Sequence, residues 1–290
     1  MKTLLLIDAH ALIYRFFHAL PALTTPDNQP IGAVYGLANV ILKILREHQP
    51  DYLAACFDRP EETFRRKEYA QYKATRQAPP DELISQFKIS RELLDKFQIR
   101  VVEMPGFEAD DLIGTLAEKF KKEPNLKIVI FSGDLDLLQL VENDKVVVEF
   151  LKTGISDTMT YDEKAVAARY DLRPEQLPDL KGLLGDVSDN IPGVKGVGPK
   201  TAGPLIKKYG TLENLFENLW QVSDKIGLKL TDKKEEALFS KKLATIKRDV
   251  PLFVQSLNDL KLEAIDRGGL VKYFENLGFI SLIKRLNSTN

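Results

Sequence analysis

Short apolar runs alternate with amphipathic stretches through the first 171 or so residues. Leu4-Leu5-Leu6-Ile7 predicts a buried strand that stops at Asp8. A helical pattern, Leu12 to Phe17, follows at once, then a loop holding Pro21, Pro26, Asn28 and Pro30. Val34, Leu37, Ile41, Leu42 and Leu45 recur at helical spacing and predict a helix from about Ala33 to Glu47, stopped by Pro50. Tyr52 to Phe57 predicts a second buried strand, ending at Asp58. A helix over Leu83 to Phe97 leads into a third strand, Arg100 to Met104. Leu112, Ile113, Leu116, Ala117 and Phe120 mark the next helix, and Lys127 to Phe131 the fourth strand. Val146 to Phe150 predicts another strand, with a turn at Thr153-Gly154. Strands alternating with helices imply an α/β fold with a mostly parallel central sheet flanked by helices.

From Leu172 the pattern changes to helices and tight turns. Arg173 to Leu177 opens one helix, and Leu212, Leu215, Phe216 and Leu219 suggest a small helical bundle. The charged stretch Ser223 to Lys242 predicts a solvated helix pair. Leu270 to Leu286 gives a last apolar helical pattern, before a polar end at Ser288-Thr289-Asn290. The expected division is therefore an α/β unit over 1–171 and a helical unit over 172–290.

In a parallel sheet, ligands collect at the carboxyl ends of the strands. Here four successive strands end in acids: Asp8, Asp58, the group Glu108, Asp110 and Asp111, and the pair Asp134 and Asp136. Glu108 and Asp111 are spaced i,i+3, which puts them on one face of a helix with Asp110 beside them. Such a cluster also suits an ordinary acidic first turn, but that accounts for one strand end and not for four. Asp186 and Asp189 add two more acids at i,i+3. Nine carboxylates without clustered His or Cys favour a hard divalent ion, Mg²⁺ or Mn²⁺. The set suits two ions about 3.5–4 Å apart, the arrangement that serves phosphodiester hydrolysis without a protein nucleophile.

Two stretches point to a phosphate backbone. Residues 59–82 carry Arg59, Arg65, Arg66, Lys67, Lys73 and Arg76, interleaved with Phe64, Tyr69 and Tyr72. This is either a solvated loop with a short polar helix or a mobile basic and aromatic element over a nucleic-acid site. In the second stretch, Gly193, Gly196 and Gly198 allow a tight turn between two helices and a close approach of backbone N–H groups to an anion. Lys195, Lys200, Lys207 and Lys208 surround that turn, with no acid from Lys195 to Tyr209.

Composition narrows the classes without choosing among them. The 290 residues, 44% apolar and 29% charged, are those of a globular chain with room for one or two domains. A net charge of -1, from 41 basic and 42 acidic residues, argues against a simple DNA-coating protein, but not against an enzyme whose acidic site offsets basic patches. No apolar run is long enough to span a bilayer, so no membrane partner is expected. The lone Cys56 suits a reducing cytoplasm and a packed core position.

These residues carry a family resemblance over Leu4 to about Leu286. The motifs are Leu6-Ile7-Asp8, Cys56-Phe57-Asp58, Tyr72-Lys73 with Arg76, Gly106-Phe107-Glu108-Ala109-Asp110-Asp111, Gly133-Asp134-Leu135-Asp136, Gly185-Asp186 with Asp189-Asn190, and Gly193 to Ala202. The chain resembles the 5′-nuclease domain of bacterial DNA polymerase I, within the flap endonuclease family. The resemblance implies a PIN-like nuclease fold with a C-terminal helical subdomain, and a 5′→3′ exonuclease and structure-specific 5′-flap endonuclease acting in replication and repair. It implies that residues 59–82 form a helical arch, that Lys73 and Arg76 meet the scissile phosphate, and that Arg15 and Tyr14 touch the substrate near the cut. Residues 182–208 would be a helix–hairpin–helix gripping duplex backbone through Gly193, Lys195, Gly196, Gly198, Lys200 and Thr201, with a K⁺ ion there. Phe64, Arg65 and Tyr72 would contact DNA from the arch. Expected partners are nicked or branched DNA with a 5′ flap and RNA primer–DNA junctions, met by a monomer in the nucleoid, with polymerase domains in a parent chain. One departure is Gly203-Pro204, where a proline inside the second hairpin helix predicts a kink.

Overall fold

The computed structural model describes residues 1–154 and 157–287, so the polar end at 288–290 lies outside the described residues. Six strands form one sheet: β1 (Lys2–Asp8), β2 (Tyr52–Cys56), β3 (Arg100–Val102), β4 (Leu126–Ser132), β5 (Val146–Thr153) and β6 (Asp157–Tyr161). Their order is β3-β2-β1-β4-β5-β6, with the first five parallel and β6 antiparallel to β5. β6 is the strand that the apolar pattern did not predict. It lies at the sheet edge, and of its five residues only Tyr161 is fully buried.

The helices are α1 (Ala9–Ala19), α2 (Gly32–Glu47), α3 (Phe64–Glu68), α4 (Asp81–Lys96), α5 (Ala109–Phe120), α6 (Glu163–Tyr170), α7 (Leu177–Leu184), α8 (Pro199–Tyr209), α9 (Leu212–Glu217), α10 (Asp224–Leu230), α11 (Lys234–Ala244), α12 (Arg267–Asn276) and α13 (Ile280–Asn287). The β1 side chains alternate between two cores. Leu5 and Ile7 meet α1, α2 and α4 on one face, and Leu4 and Leu6 meet α5 on the other. A strand buried on both faces reads as one unbroken apolar run, which is why β1 was visible in the sequence.

The helices α7 to α11 enclose a core of their own, built on Leu183, Ala202, Ile206, Leu212 and Ala237. The last part of the chain, expected with the helical unit, packs on the sheet. Ile246, Val250, Val254 and Leu260 return to one face of the sheet, while Leu270, Phe274, Phe279, Leu282 and Leu286 pack on the other. The stretch 223–242 is a helix pair as expected, but α11 is not solvated all round, since Ala237, Ser240 and Leu243 are buried.

The strand order sets the site. From β1 the chain goes to β2 on one side, while β4 lies on the other. Connections diverge there, and a crevice opens at the carboxyl ends of β1 and β4. Asp8 is the last residue of β1, and Asp134 stands two residues beyond the end of β4.

Candidate active site

Asp8 ends a strand and caps a helix at once. One carboxylate oxygen accepts the Ala11 N–H at 3.1 Å and the other accepts the Ser132 hydroxyl at 2.6 Å. Burial pushes its carboxyl up to about 7, although both hydrogen bonds oppose the shift. Asp58 follows β2 and accepts the Ala109 N–H at 2.7 Å, which ties it to the start of α5. Asp110, in the first turn of α5, is held well above the ordinary carboxylate range by burial and by the neighbouring charges of Asp134 and Asp8. Asp134 accepts the Asp136 N–H at 2.8 Å. These four acids and Glu108 line one cleft of about 660 Å³, with Lys73, Arg76 and Tyr14 at its rim.

The remaining acids divide. Lys181 of α7 donates to both Asp136 and Asp186, the latter at 2.5 Å. Burial and the charge of Asp134 raise Asp136 to about 6. Burial would raise Asp186 too, but Lys181 and Ser188 outweigh it and bring the carboxyl down to about 2. Asp189 accepts Arg76 at 2.5 Å and the Tyr72 hydroxyl at 3.0 Å. Asp111 does not face the cleft. It is fully buried, takes Arg65 in a two-pronged pair at 2.7 Å, and accepts the N–H groups of Glu108 and Lys247. Both its oxygens are bonded inside the protein, where they fix the start of α5.

The arch segment carries one short helix and is otherwise turns. Only α3 is helical between Arg59 and Pro80, and the segment is pinned at several points. Arg65 is 3% exposed, bound to Asp111, Glu108 and the carbonyls of Leu243 and Thr245. Tyr72, also 3% exposed, donates to Glu108 and sits in a small core with Ile191 and Leu243. Neither has a face left for DNA. Phe64 is packed against Phe107, with Arg65 and Lys247 over its ring. Arg15 points from the cleft toward β5, donating to the Lys152 carbonyl with its guanidinium over Phe150.

Lys73 and Arg76 do reach the cleft. The Lys73 ammonium lies 2.9 Å from Glu108, and its backbone N–H holds the Asp189 carbonyl at 2.9 Å. Burial works against its charge, but Glu108, Asp189 and Asp58 more than restore it. Two contributors had no signal in the sequence beyond their position next to an acid: Ser132, two residues before Asp134, and Lys181, five before Asp186.

The glycine-rich turn lies between α7 and α8. Gly185 has a φ of +71°, and a Cβ at Gly193 would stand 2.3 Å from the Leu184 backbone, so both positions require glycine. Lys195 and Lys200 are exposed, and the space beside Gly198 at the start of α8 is open. The Gly196 carbonyl, however, accepts the Lys229 ammonium at 2.8 Å. Helix α8 continues through Pro204 to Tyr209. Pro204 is exposed there, so its ring meets solvent rather than a neighbour.

The cleft fits divalent metal by its chemistry. Its donors are carboxylate oxygens, several of them buried and repelling one another, which a hard cation would relieve. Among the described residues no three acids stand close enough to form a ready-made ligand group, so an ion would have to draw them together. Asp8, Asp58, Asp110 and Asp134 would hold it, with Glu108 in the same cleft but bonded to Lys73, Arg65 and Tyr72, while Asp136 and Asp186 are tied by Lys181 and Asp189 by Arg76 and Tyr72.

Two family models match the chain: the N-terminal resolvase-like domain of the 5′-3′ exonucleases over residues 3–171, and the C-terminal SAM fold of the same family over 172–268. DNA polymerase I of Bacillus subtilis is 43% identical over 286 residues, which cover 98% of this chain and 32% of that protein. DNA polymerase I of Mycobacterium tuberculosis is 40% identical over 289 residues, covering 99% and 32%. The chain thus spans about a third of the length of these relatives. Among solved structures, T5 5′-exonuclease with zinc bound superposes with a TM-score of 0.70 at 20% identity, over 99% of this chain and 98% of that one. The catalytic core of Rad2 in complex with DNA substrate gives 0.62 at 17%, over 98% and 92%. The structural likeness establishes the fold, and with the family models and the sequence identity it places the chain in the 5′-3′ exonuclease family.

Proposed function

We propose that the chain is a Mg²⁺- or Mn²⁺-dependent nuclease that removes nucleotides from DNA 5′ ends and cuts 5′ flaps, in the removal of flaps and RNA primers during replication and repair. The observation that carries this is the row of buried, mutually repelling carboxylates at the β1/β4 crevice, with Lys73 and Arg76 at its rim. Bound metal would activate a water and stabilise the leaving oxygen. Lys73 and Arg76 face the point where negative charge grows on the phosphate, so their loss should lower turnover more than affinity. Tyr14 offers a ring beside that point. Lys195 and Lys200 hold duplex backbone away from the cut, without reading bases.

The natural substrate is taken to be nicked or branched DNA, met by a monomer in the nucleoid, with polymerase domains supplied by a longer parent chain. A K⁺ ion at the hairpin is not needed to satisfy Gly196, because Lys229 already brings a positive charge to that carbonyl. The deciding assay is cleavage of 5′-flap DNA with and without Mg²⁺, beside single-stranded RNA. Metal-dependent cutting at the flap junction is expected. Equal cutting without metal, or preference for the RNA, would sink the proposal.

A further inference from the structure

The acids of the site fall into two groups according to what already neutralises them. Among the described residues Asp8, Asp58, Asp110 and Asp134 form no ion pair with a lysine or arginine. Asp8 accepts from Ala11 and Ser132, Asp58 from Ala109, and Asp134 from Asp136. The other group is different, because the chain supplies its cations. Asp189 takes Arg76 at 2.5 Å, and Lys181 stands between Asp136 and Asp186, 2.5 Å from the second.

Lys181 is held in that place by the fold. It sits on α7, where a Cβ at the next residue, Gly182, would stand 2.8 Å from the Ala237 carbonyl oxygen, so α7 lies close against α11. Asp136 begins the 3-10 turn beyond β4, and Asp186 follows the end of α7. One ammonium therefore joins the loop of the sheet to the start of the hairpin. Its side chain is only 23% exposed. Burial works against its charge, but the two carboxylates more than restore it, so it stays a cation.

We propose that Lys181 fills the second metal position of the site in the free chain, and that a divalent ion loads between Asp136 and Asp186 only by displacing it. The inference rests on the metal-dependent reading above. A hard ion seeks the same carboxylate oxygens that the ammonium holds. At Asp8, Asp58, Asp110 and Asp134 an ion relieves repulsion and breaks no ion pair. At Asp136 and Asp186 it must first break two charge-assisted hydrogen bonds. The two ions therefore load unequally, and Lys181 sets the difference.

The test reads metal binding rather than cleavage. Mn²⁺ titrations of the full chain, followed by the electron paramagnetic resonance signal of the free ion, count the bound ions and rank them. The unaltered chain should take one ion tightly and a second at least about tenfold more weakly, a gap of about 1.4 kcal/mol. Lys181→Met keeps the apolar stem and drops the charge. It should strengthen the second ion by about tenfold while changing the first by less than about threefold. Lys181→Arg keeps a cation and should leave the second ion weak. A measurement on the unaltered chain covers the case in which Lys181→Met misfolds. In ¹⁵N-lysine-labelled protein, the Lys181 ammonium signal should persist through the first equivalent of Mg²⁺ and be lost to exchange with water on the second. An unchanged second affinity in Lys181→Met, equal strengthening of both ions, or an ammonium signal that survives saturating Mg²⁺ would overturn the proposal. No Mn²⁺ bound by any of the three proteins would reject the metal-dependent reading and this inference with it. Loading as described, without cleavage of flap DNA in Mg²⁺, would support the role of Lys181 and reject the nuclease.

Discussion

Asp110 and Asp111 are adjacent acids in one helical turn, and the structure gives them opposite surroundings. Asp111 is neutralised by Arg65 and by backbone N–H groups, while Asp110 sits among like charges. Removing one partner of a buried pair leaves the other charge uncompensated, at a cost of about 3–5 kcal/mol. Asp111→Asn should therefore lower stability by roughly that amount in a denaturant titration. Asp110→Asn should do the reverse in metal-free buffer and raise stability, because it relieves repulsion, while cutting Mg²⁺-dependent cleavage by more than about a hundredfold. If Asp110→Asn were destabilising and fully active, Asp110 would not be a metal acid. The i,i+3 spacing could not separate these roles. It correctly puts Glu108 and Asp111 on one side of α5, but whether an acid meets a metal or an arginine depends on Arg65, which arrives from 46 residues away.

At the scale of elements, the strand-end acids were legible because a parallel sheet has one rule for where its loops point. The arch was less legible. Its basic and aromatic composition fits solvent, DNA or a core equally well, and only the ion pairs of Arg65 and the contacts of Tyr72 show that these two side chains are internal while most of the segment is exposed. Of the turn's predicted glycines, Gly193 meets backbone that no side chain could approach and Gly196 has a φ of +82°, while the space beside Gly198 is open. The turn's grip should be electrostatic. Each lost phosphate contact should reduce the slope of log K against log [salt] by about 0.9 for duplex DNA. Lys195→Ala with Lys200→Ala should weaken flap and plain duplex binding alike and flatten that slope by up to about 1.8, with single-turnover cleavage at saturating substrate preserved. An unchanged slope over a salt series would mean that the duplex is held elsewhere. The contact between α2 and β5 answers to pH instead. Burial would raise the Glu149 carboxyl, but His48, Thr158 and Lys43 together pull it below its ordinary value of 4.5. A depressed folded value gives stability that is present above the unfolded value and is lost as pH falls through the folded one. Glu149→Gln should accordingly be less stable at neutral pH and show a shallower acid loss below about pH 4.5. Parallel acid-unfolding curves for both proteins would show that the pair contributes nothing.

The whole molecule is closed by a segment that follows the helical bundle in the chain but packs on the sheet. The pattern of Leu270 to Leu286 is plainly helical, but helical spacing does not say which core a helix covers. Its partners prove to be α2 and α4 on the sheet, not the bundle that precedes it in the chain. The stretch from Ile246 to Leu260 covers the opposite face, so the last 40 or so described residues clasp both sides of the N-terminal sheet. Nine apolar side chains in this segment, Ile246, Val250, Val254, Leu260, Leu270, Phe274, Phe279, Leu282 and Leu286, are at most 5% exposed. At about 2 kcal/mol for each side chain buried, their removal forfeits more than the roughly 5–15 kcal/mol that holds a domain together. A chain truncated after Thr245 should therefore fail to fold cooperatively, and so should the fragment 1–171, although each contains the strand-end acids of the sheet. Thermal unfolding by circular dichroism checks this, with the fragment 246–290 added back in trans as the control. A sharp transition in the truncated chain, at the same temperature as the full one, would show that the clasp is dispensable. Recovery of the transition on adding the fragment would show that the clasp acts by covering the sheet, because only surface burial survives the loss of the covalent link.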